Sequence, residues 1–279
     1  MKSASDLRRQ FDVELSLHYD KKELQALFFW CVEHVFKLSR SQCLLTMNDS
    51  LPERQIHQFL SIIDRLKKEE PIQYIVGESE FCGMPFKVNP SCLIPRPETE
   101  ELVHWILQSE FNSALDIGTG SGCIATVLAK QTQANILAMD VSQDAIELAK
   151  ANAQLNKAHV TFIKHDIFEP LSLAYKLDLI VSNPPYVMES EQKMMNKNVL
   201  DYEPKLALFV KDHSPLIFYE RIVEFAKENL NNKGLLFFEI NEQKSVEIVN
   251  LLEKNDFHNI LIKNDMQGKN RMVKAQKKL

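Results

Sequence analysis

Cysteine is scarce and scattered in this 279-residue chain: Cys31, Cys43, Cys82, Cys92 and Cys123 form no Cys-x-x-Cys, and their total of five is odd. That argues against a disulfide framework and against a zinc site. The eight histidines are equally dispersed, so no metal is predicted. Long apolar runs are missing as well, since none approaches the length that crosses a bilayer. The amino terminus, Met1-Lys2-Ser3-Ala4-Ser5-Asp6, has no signal-peptide pattern and leads into a charged amphipathic segment. The expectation is a soluble, cytoplasmic protein with no membrane partner. Excess positive charge is lacking too: the formal net charge of -5 disfavours a large nucleic-acid surface, and the basic tail Lys274-Ala275-Gln276-Lys277-Lys278 reads as a solvated end.

What is present is gathered at a few points, and Asn183-Pro184-Pro185-Tyr186 is the most informative. The apolar run Leu177-Asp178-Leu179-Ile180-Val181-Ser182 leads into it, placing it at the carboxyl end of a buried strand, where open α/β sheets carry their chemistry. An amino group conjugated to a carbonyl or an aromatic ring is planar, with both hydrogens in the plane and a delocalised lone pair. The Asn183 side-chain oxygen and a carbonyl of the Pro-Pro segment can each accept one such hydrogen, while the Tyr186 ring packs on the flat face. Proline fixes φ, which sets the carbonyl direction in advance. Alone, the tetrapeptide fits a plain turn equally well.

A second motif shifts that balance. Ala114-Leu115-Asp116-Ile117-Gly118-Thr119-Gly120-Ser121-Gly122-Cys123 reads as a buried strand, a glycine-rich turn and a helix start. The dinucleotide pattern G-x-G-x-x-G is not met, because Cys123 stands where its third glycine belongs. The carboxylate of Asp116 would repel a pyrophosphate but tolerate a cationic amino-acid moiety beside a sulfonium, as in S-adenosylmethionine. The next strand ends in Asp140, about 20 residues on, where an acidic side chain can accept both ribose hydroxyls. The third ends in His165-Asp166-Ile167-Phe168, offering Asp166 to an adenine amino group and Phe168 to its ring. Such features on the ends of four successive strands, in the order one cofactor needs, favour a ligand over unrelated turns.

The remaining pattern gives the organisation. Helical spacing runs through Leu7, Phe11 and Leu15, then Leu24, Leu27, Phe28, Cys31 and Val35, then Ile56, Phe59, Leu60, Ile63 and Leu66. Residues 1–72 therefore read as a small helical bundle with no catalytic cluster of its own, suited to docking a partner. Residues 73–96 read as a linker whose alternating segments Tyr74–Gly77 and Ser79–Val88 make a hairpin turning at Cys82-Gly83. From 97 to 279, strands near 113–117, 135–139, 160–164, 177–183, 234–240, 257–263 and 271–275 alternate with helices, one of them opened by Ser214-Pro215. That alternation predicts a parallel α/β sheet covered on both faces. The long irregular stretch from Val187 to His213 suits a lid over the substrate group.

On Pro95-Arg96-Pro97-Glu98-Thr99-Glu100, Asp116 to Gly122, Ser182 to Tyr186, and Tyr202-Glu203-Pro204, the chain resembles the peptide chain release factor glutamine N5-methyltransferases along nearly its whole length. The resemblance implies an amino-terminal helical bundle, a hairpin linker and a Rossmann-like methyltransferase domain. It further implies N5-methylation of the glutamine in the Gly-Gly-Gln motif of class I release factors, with S-adenosylmethionine as cofactor and the bundle helping to dock the factor. Arg96, Glu98 and Thr99 would close over the methionine end. Two positions depart from the family pattern: Asn241 replaces the glycine after the fifth strand, where Asn can still take a left-handed turn, and Phe168 replaces a tryptophan. The alternative enzyme is a DNA or RNA adenine N6-methyltransferase, whose exocyclic amino group poses the same planar problem. A non-catalytic scaffold is the alternative outside enzymes.

Overall fold

Apolar residues three and four apart do form helices near the amino terminus of the computed structural model, which describes residues 2–279. α1 (Ala4–Leu15) opens on Ser3, whose hydroxyl accepts from the Asp6 N–H while the Asp6 carboxylate accepts from the Ser3 N–H, a reciprocal cap that satisfies two free donors. α2 (Lys21–Phe36) opens on Asp20, which accepts from the N–H groups of Lys22 and Glu23. The short α3 (Arg40–Leu45) has a second reciprocal cap through Ser39 and Gln42, and α4 (Glu53–Leu66) follows Pro52. Leu7, Phe11, Phe28, Phe59 and Ile63 meet in one core, where Phe28 stands edge-on to Phe11 at 5.7 Å and to Phe59 at 5.8 Å.

The segment expected to be extended at 74–77 is instead α5 (Ile72–Val76), stopped by Gly77 at φ +76. Its β-branched, apolar residues imitate a strand, but a left-handed glycine just past them is a helix stop. Arg65 ties α5 to α4 by donating to both carboxylate oxygens of Glu70 and to the Ile75 carbonyl. These helices and the residues Asn196–Tyr202 make one compact unit of the chain.

The second unit begins with the hairpin of β1 (Glu78–Phe81) and β2 (Met84–Lys87), turning at Cys82-Gly83 with φ +50 and +72. Then come α6 (Pro97–Ile106), β3 (Ser113–Ile117), α7 (Cys123–Gln131), β4 (Asn135–Asp140), α8 (Gln143–Leu155), β5 (Val160–Lys164) and β6 (Leu177–Ser182). The stretch expected to be an irregular lid is folded: β7 (Val187–Met188) pairs with β8 (Phe209–Val210), and between them α9 (Lys197–Tyr202) belongs to the helical unit. The chain closes with α10 (Ile217–Asn229), β9 (Leu230–Glu239), α11 (Ser245–Lys254), β10 (Phe257–Asn264) and β11 (Asn270–Lys277). Ser214 does not cap α10, which starts after Leu216.

Seven strands form the main sheet in the order β10-β11-β9-β6-β3-β4-β5. The sheet is mixed, not wholly parallel as predicted: β5, β4, β3, β6 and β9 run parallel, while β11 is antiparallel to both neighbours. β11 follows β10 through a tight turn at Gly268, too short for the crossover a parallel pair requires. Alternate residues serve opposite faces: Leu115, Met139, Ile180 and Phe238 pack with α10 and α11, whereas Ala114, Ala138, Val181 and Phe237 pack with α6 and α7. Burial on both faces explains the continuous apolar reading of β3 and β6.

Two asparagines one turn apart, Asn152 on α8 and Asn156 at its carboxyl-terminal cap, hold the hairpin. Asn152, wholly buried, accepts from the Lys87 N–H at 2.7 Å and donates to the carbonyls of Lys87 and Ser121, both at 2.9 Å. Asn156 donates to the Pro85 carbonyl at 2.8 Å.

Candidate active site

The chain winds outward from β3 through β4 to β5 and then returns to place β6 on the other side of β3. Such a reversal opens a crevice at the carboxyl ends of the strands. A cavity of about 330 Å³ lies there, walled by the ends of β3, β4, β5 and β6, by residues 91–96 and by Pro204, Leu206 and Ala207.

Gly118 and Gly120 bring bare backbone to the wall at φ +72 and +54, and a Cβ built on either would meet nothing within 4 Å. Gly122, expected to touch the same ligand, is off the wall: at φ +79 its hydrogen faces α8, where a Cβ would stand 2.8 Å from that of Ala149. Its freedom serves helix packing. Thr119 and Ser121 line the cavity while largely buried. The Thr119 hydroxyl donates to Asp116 at 2.6 Å, and the N–H groups of Gly118 and Thr119 both donate to the Met139 carbonyl, fixing the turn against β4.

Asp116 also lies off the wall, beneath the loop, with its second carboxylate oxygen buried and without a partner among the described residues. Burial pushes its carboxyl up to about 7, against the lowering pull of the Thr119 hydroxyl. Its influence on a ligand is that of a nearby charge, not a contact. Asp140, at the end of β4, is on the wall, and its oxygens accept from the N–H groups of Gly120 and Ser142, both at 2.9 Å. Each oxygen keeps a lone pair for another donor. Burial raises its pKa, and those two N–H groups work in the opposite direction.

Asp166 lines the cavity and accepts from the Phe168 N–H at 3.0 Å. Phe168 does not: it is 41% exposed and stands edge-on to Phe218, 5.2 Å away, and Phe218 occupies the wall instead. Phe218 and Ile222, one turn apart on α10, were not singled out from the sequence. Nothing in their spacing separates a core face from a cavity face.

Asn183 and both following prolines line the cavity beyond the end of β6. The Asn183 Nδ2 donates to the Thr99 hydroxyl at 3.2 Å, and its Oδ1 accepts nothing among the described residues. The Pro184 carbonyl is likewise unengaged among them. Thr99 donates to Glu239 Oε2 at 2.6 Å, and Tyr186 donates to Glu239 Oε1 at 3.0 Å. Tyr186 is thus anchored away from the cavity, not laid along its wall as expected, because burial of Glu239 at the end of β9 requires donors on both oxygens. Burial raises the Glu239 pKa, and the Thr99 and Tyr186 hydroxyls oppose it. Asn241 takes no left-handed turn: at φ -67 it accepts from the Gln243 N–H and donates to the Tyr186 carbonyl and Glu191.

Over the cavity, Arg96 donates to Glu203 at 2.5 Å, and the Ile94 N–H reaches the same carboxylate at 3.4 Å. Glu98 does not line the cavity, whereas Arg96 and Thr99 do. These groups fit S-adenosylmethionine: bare glycine backbone, carboxylate acceptors at Asp140 and Asp166 and the Phe218 ring on the wall, with the Asp116 carboxyl beneath the loop. Among the described residues no group of His, Cys, Asp and Glu could hold a metal ion, and no helix is long and apolar enough to cross a membrane.

Known families match both units. The methyltransferase small domain matches residues 97–204, and the PrmC N-terminal domain matches residues 6–77. Over 276 residues the chain is 46% identical to the release factor glutamine methyltransferase of Flavobacterium psychrophilum, a match covering 96% of this chain and 97% of the relative. The protein of the same name from Bacteroides thetaiotaomicron is 46% identical over 221 residues, or 78% of this chain and 80% of the relative. Among solved structures, the crystal structure of a methyltransferase from Pyrococcus furiosus shares the fold at a TM-score of 0.55 and 18% identity, covering 82% of this chain and 100% of that one.

Proposed function

The chain belongs to the release factor glutamine methyltransferase family, and on that premise we propose that it methylates the N5 nitrogen of the glutamine in the Gly-Gly-Gln motif of class I release factors, using S-adenosylmethionine. The observation that carries the reading is the pair of unengaged acceptors, Asn183 Oδ1 and the Pro184 carbonyl, at the carboxyl end of β6. Two acceptors suit a primary amide, which has two N–H groups in one plane. They hold the amide nitrogen in place, and their orientation is set before substrate arrives because proline fixes φ and Asn183 is tied to Thr99. Both acceptors also favour a nitrogen on which positive charge develops.

Gly118, Gly120, Asp140 and Asp166 would hold the cofactor, with Phe218 in the part expected of Phe168. When bound, S-adenosylmethionine supplies an electrophilic methyl group on a sulfonium. Pro184 and Pro185 supply apolar wall that keeps water from the amide. Tyr186 acts at one remove, by holding Glu239.

The helical unit, which runs on through α5 to Gly77 and not only to residue 72, serves as the docking domain; the hairpin and the residues up to 96 link it to the methyltransferase domain from residue 97. Support for docking comes from Leu17 and Leu45 on the helical unit, apolar side chains that are 94% and 87% exposed. The site of action is the cytoplasm, where translation terminates. The test is mass spectrometry of a purified class I release factor incubated with this protein and isotopically labelled S-adenosylmethionine. One labelled methyl on the Gly-Gly-Gln glutamine is expected. An unlabelled factor in the presence of cofactor-binding protein would overturn the assignment.

A further inference from the structure

A carboxamide can face a cavity with either end, and only one end of Asn183 accepts hydrogens. Its neighbour Thr99 has one hydroxyl proton, and Glu239 Oε2 takes that proton at 2.6 Å. The Thr99 oxygen can then only accept, so it faces the NH₂ end of Asn183, at 3.2 Å, and the carbonyl end is left toward the cavity. Both ends of Glu239 are committed in the same sense, because the Tyr186 hydroxyl donates to Oε1 at 3.0 Å. Thr99 and Glu239 are 3% and 2% exposed, so water does not compete for these bonds. The Tyr219 hydroxyl donates to the Glu239 main-chain carbonyl at 3.0 Å, which steadies the residue that carries the carboxylate.

We propose that Thr99 and Glu239 are positioning residues that fix the orientation of the Asn183 carboxamide, so that its oxygen and not its NH₂ faces the substrate nitrogen. This rests on the amide-methylation reading above. A reversed Asn183 would set N–H against N–H, removing one of the two acceptors and opposing the charge that develops on the reacting nitrogen. Glu239 is the source of the polarity, since a carboxylate only accepts. A glutamine there accepts at one end only. The phenol of Tyr186 is the stronger donor and retains the oxygen, so Thr99 meets the NH₂ end and turns its own proton to Asn183.

The experiment is single-turnover methylation of a class I release factor at saturating S-adenosylmethionine, with cofactor affinity and thermal midpoint measured for every variant. Thr99→Val, which has the same shape without the hydroxyl, should slow the chemical step about 10- to 100-fold with cofactor affinity unchanged. Thr99→Ser should restore most of the rate, and Glu239→Gln should fall between the two. In an Asn183→Ala background Thr99→Val should cost nothing more, because its effect runs through Asn183. In ¹⁵N-labelled protein without substrate, the Asn183 side-chain resonances should shift in Thr99→Val and in Glu239→Gln but not in Thr99→Ser. A wild-type rate in Thr99→Val, an undiminished loss in the Asn183→Ala background, or a loss seen only in cofactor affinity would each overturn the proposal. Failure of the unmodified protein to methylate any release factor would instead overturn the reading on which it rests.

Discussion

Asp116→Asn removes a charge from beneath the glycine loop while keeping the shape of the side chain. Burial lifts the Asp116 carboxyl from 3.8 to about 7 in the folded chain. A rise of about 3 units at about 1.4 kcal/mol per unit is worth on the order of 4 kcal/mol. For an acid whose folded pKa is raised, the stabilising contribution is complete below the unfolded value and is lost as pH climbs through the folded value, because the unfolded chain gives up its proton first. The cofactor-free protein should therefore lose up to about 4 kcal/mol between roughly pH 4 and pH 7 through this one group. In Asp116→Asn that loss should vanish. The new NH₂ replaces an oxygen that already has no partner, while the retained oxygen still accepts from Thr119, so no hydrogen bond is lost. The informative quantity is therefore the pH dependence of the difference between the two proteins, in which all other titrations cancel. Urea unfolding at four pH values across that window measures it, and a difference that stays flat would refute the buried, neutral Asp116. A second arm uses the ligand. A cation above Asp116 lowers its pKa, so binding of S-adenosylmethionine near pH 7 should release protons, detected by calorimetry in buffers of different ionisation enthalpy. Proton uptake, or release that persists in Asp116→Asn, would contradict the argument.

Asp140→Ala should weaken S-adenosylmethionine by about 1.5 to 3 kcal/mol with the fold kept, and calorimetry showing unchanged affinity would remove Asp140 from the cofactor site. Gly122→Ala should destabilise by about 2 to 4 kcal/mol, combining left-handed backbone strain with overpacking against Ala149, as read from the urea midpoint. A neutral result would mean that α7 and α8 separate readily. Arg96→Met should cost about 3 kcal/mol and exceed the cost of Glu203→Gln, because the first strands a carboxylate that is 1% exposed, whereas the second frees a guanidinium that is 33% exposed and able to reach water. The reverse order in thermal unfolding would refute that reasoning.

The alternation of apolar runs and helical spacings carried the sheet and its covering helices, because burial on both faces leaves a pattern visible along the chain. Direction was not visible for β11, since an antiparallel strand beside a parallel one has no pattern of its own. At the site, residues that act by backbone or by position at a strand end were legible: Gly118, Gly120, Asp140, Asp166 and Asn183 all reach the wall. Residues that act through another were not. Asp116, Gly122 and Tyr186 stand in the same motifs, yet Asp116 turns inward to Thr119, and Gly122 and Tyr186 turn to neighbours that only the fold supplies, Ala149 and Glu239. Phe218 takes the part expected of Phe168 because α10 brings its ring to the wall and leaves Phe168, in the loop after β5, edge-on behind it. Glu239 could not be read from sequence as part of the site, since nothing near it announces that Thr99, 140 positions away, donates to it.

Asn152 and Asn156, at the end of α8, restrict what can join the hairpin. β2 lies at one edge of a two-stranded sheet, and the main-chain groups of Pro85 and Lys87 point away from β1, as their bonds to Asn152 and Asn156 show. Pro85 has no N–H and its carbonyl is taken by Asn156; the Lys87 N–H and carbonyl are both taken by Asn152, whose carboxamide presents to the strand what a neighbouring peptide unit would. Side chains thus complete the ladder that another strand would otherwise extend. This edge is closed to an extended segment of any partner, and to a second copy of the hairpin, without the help of charge or a bulge.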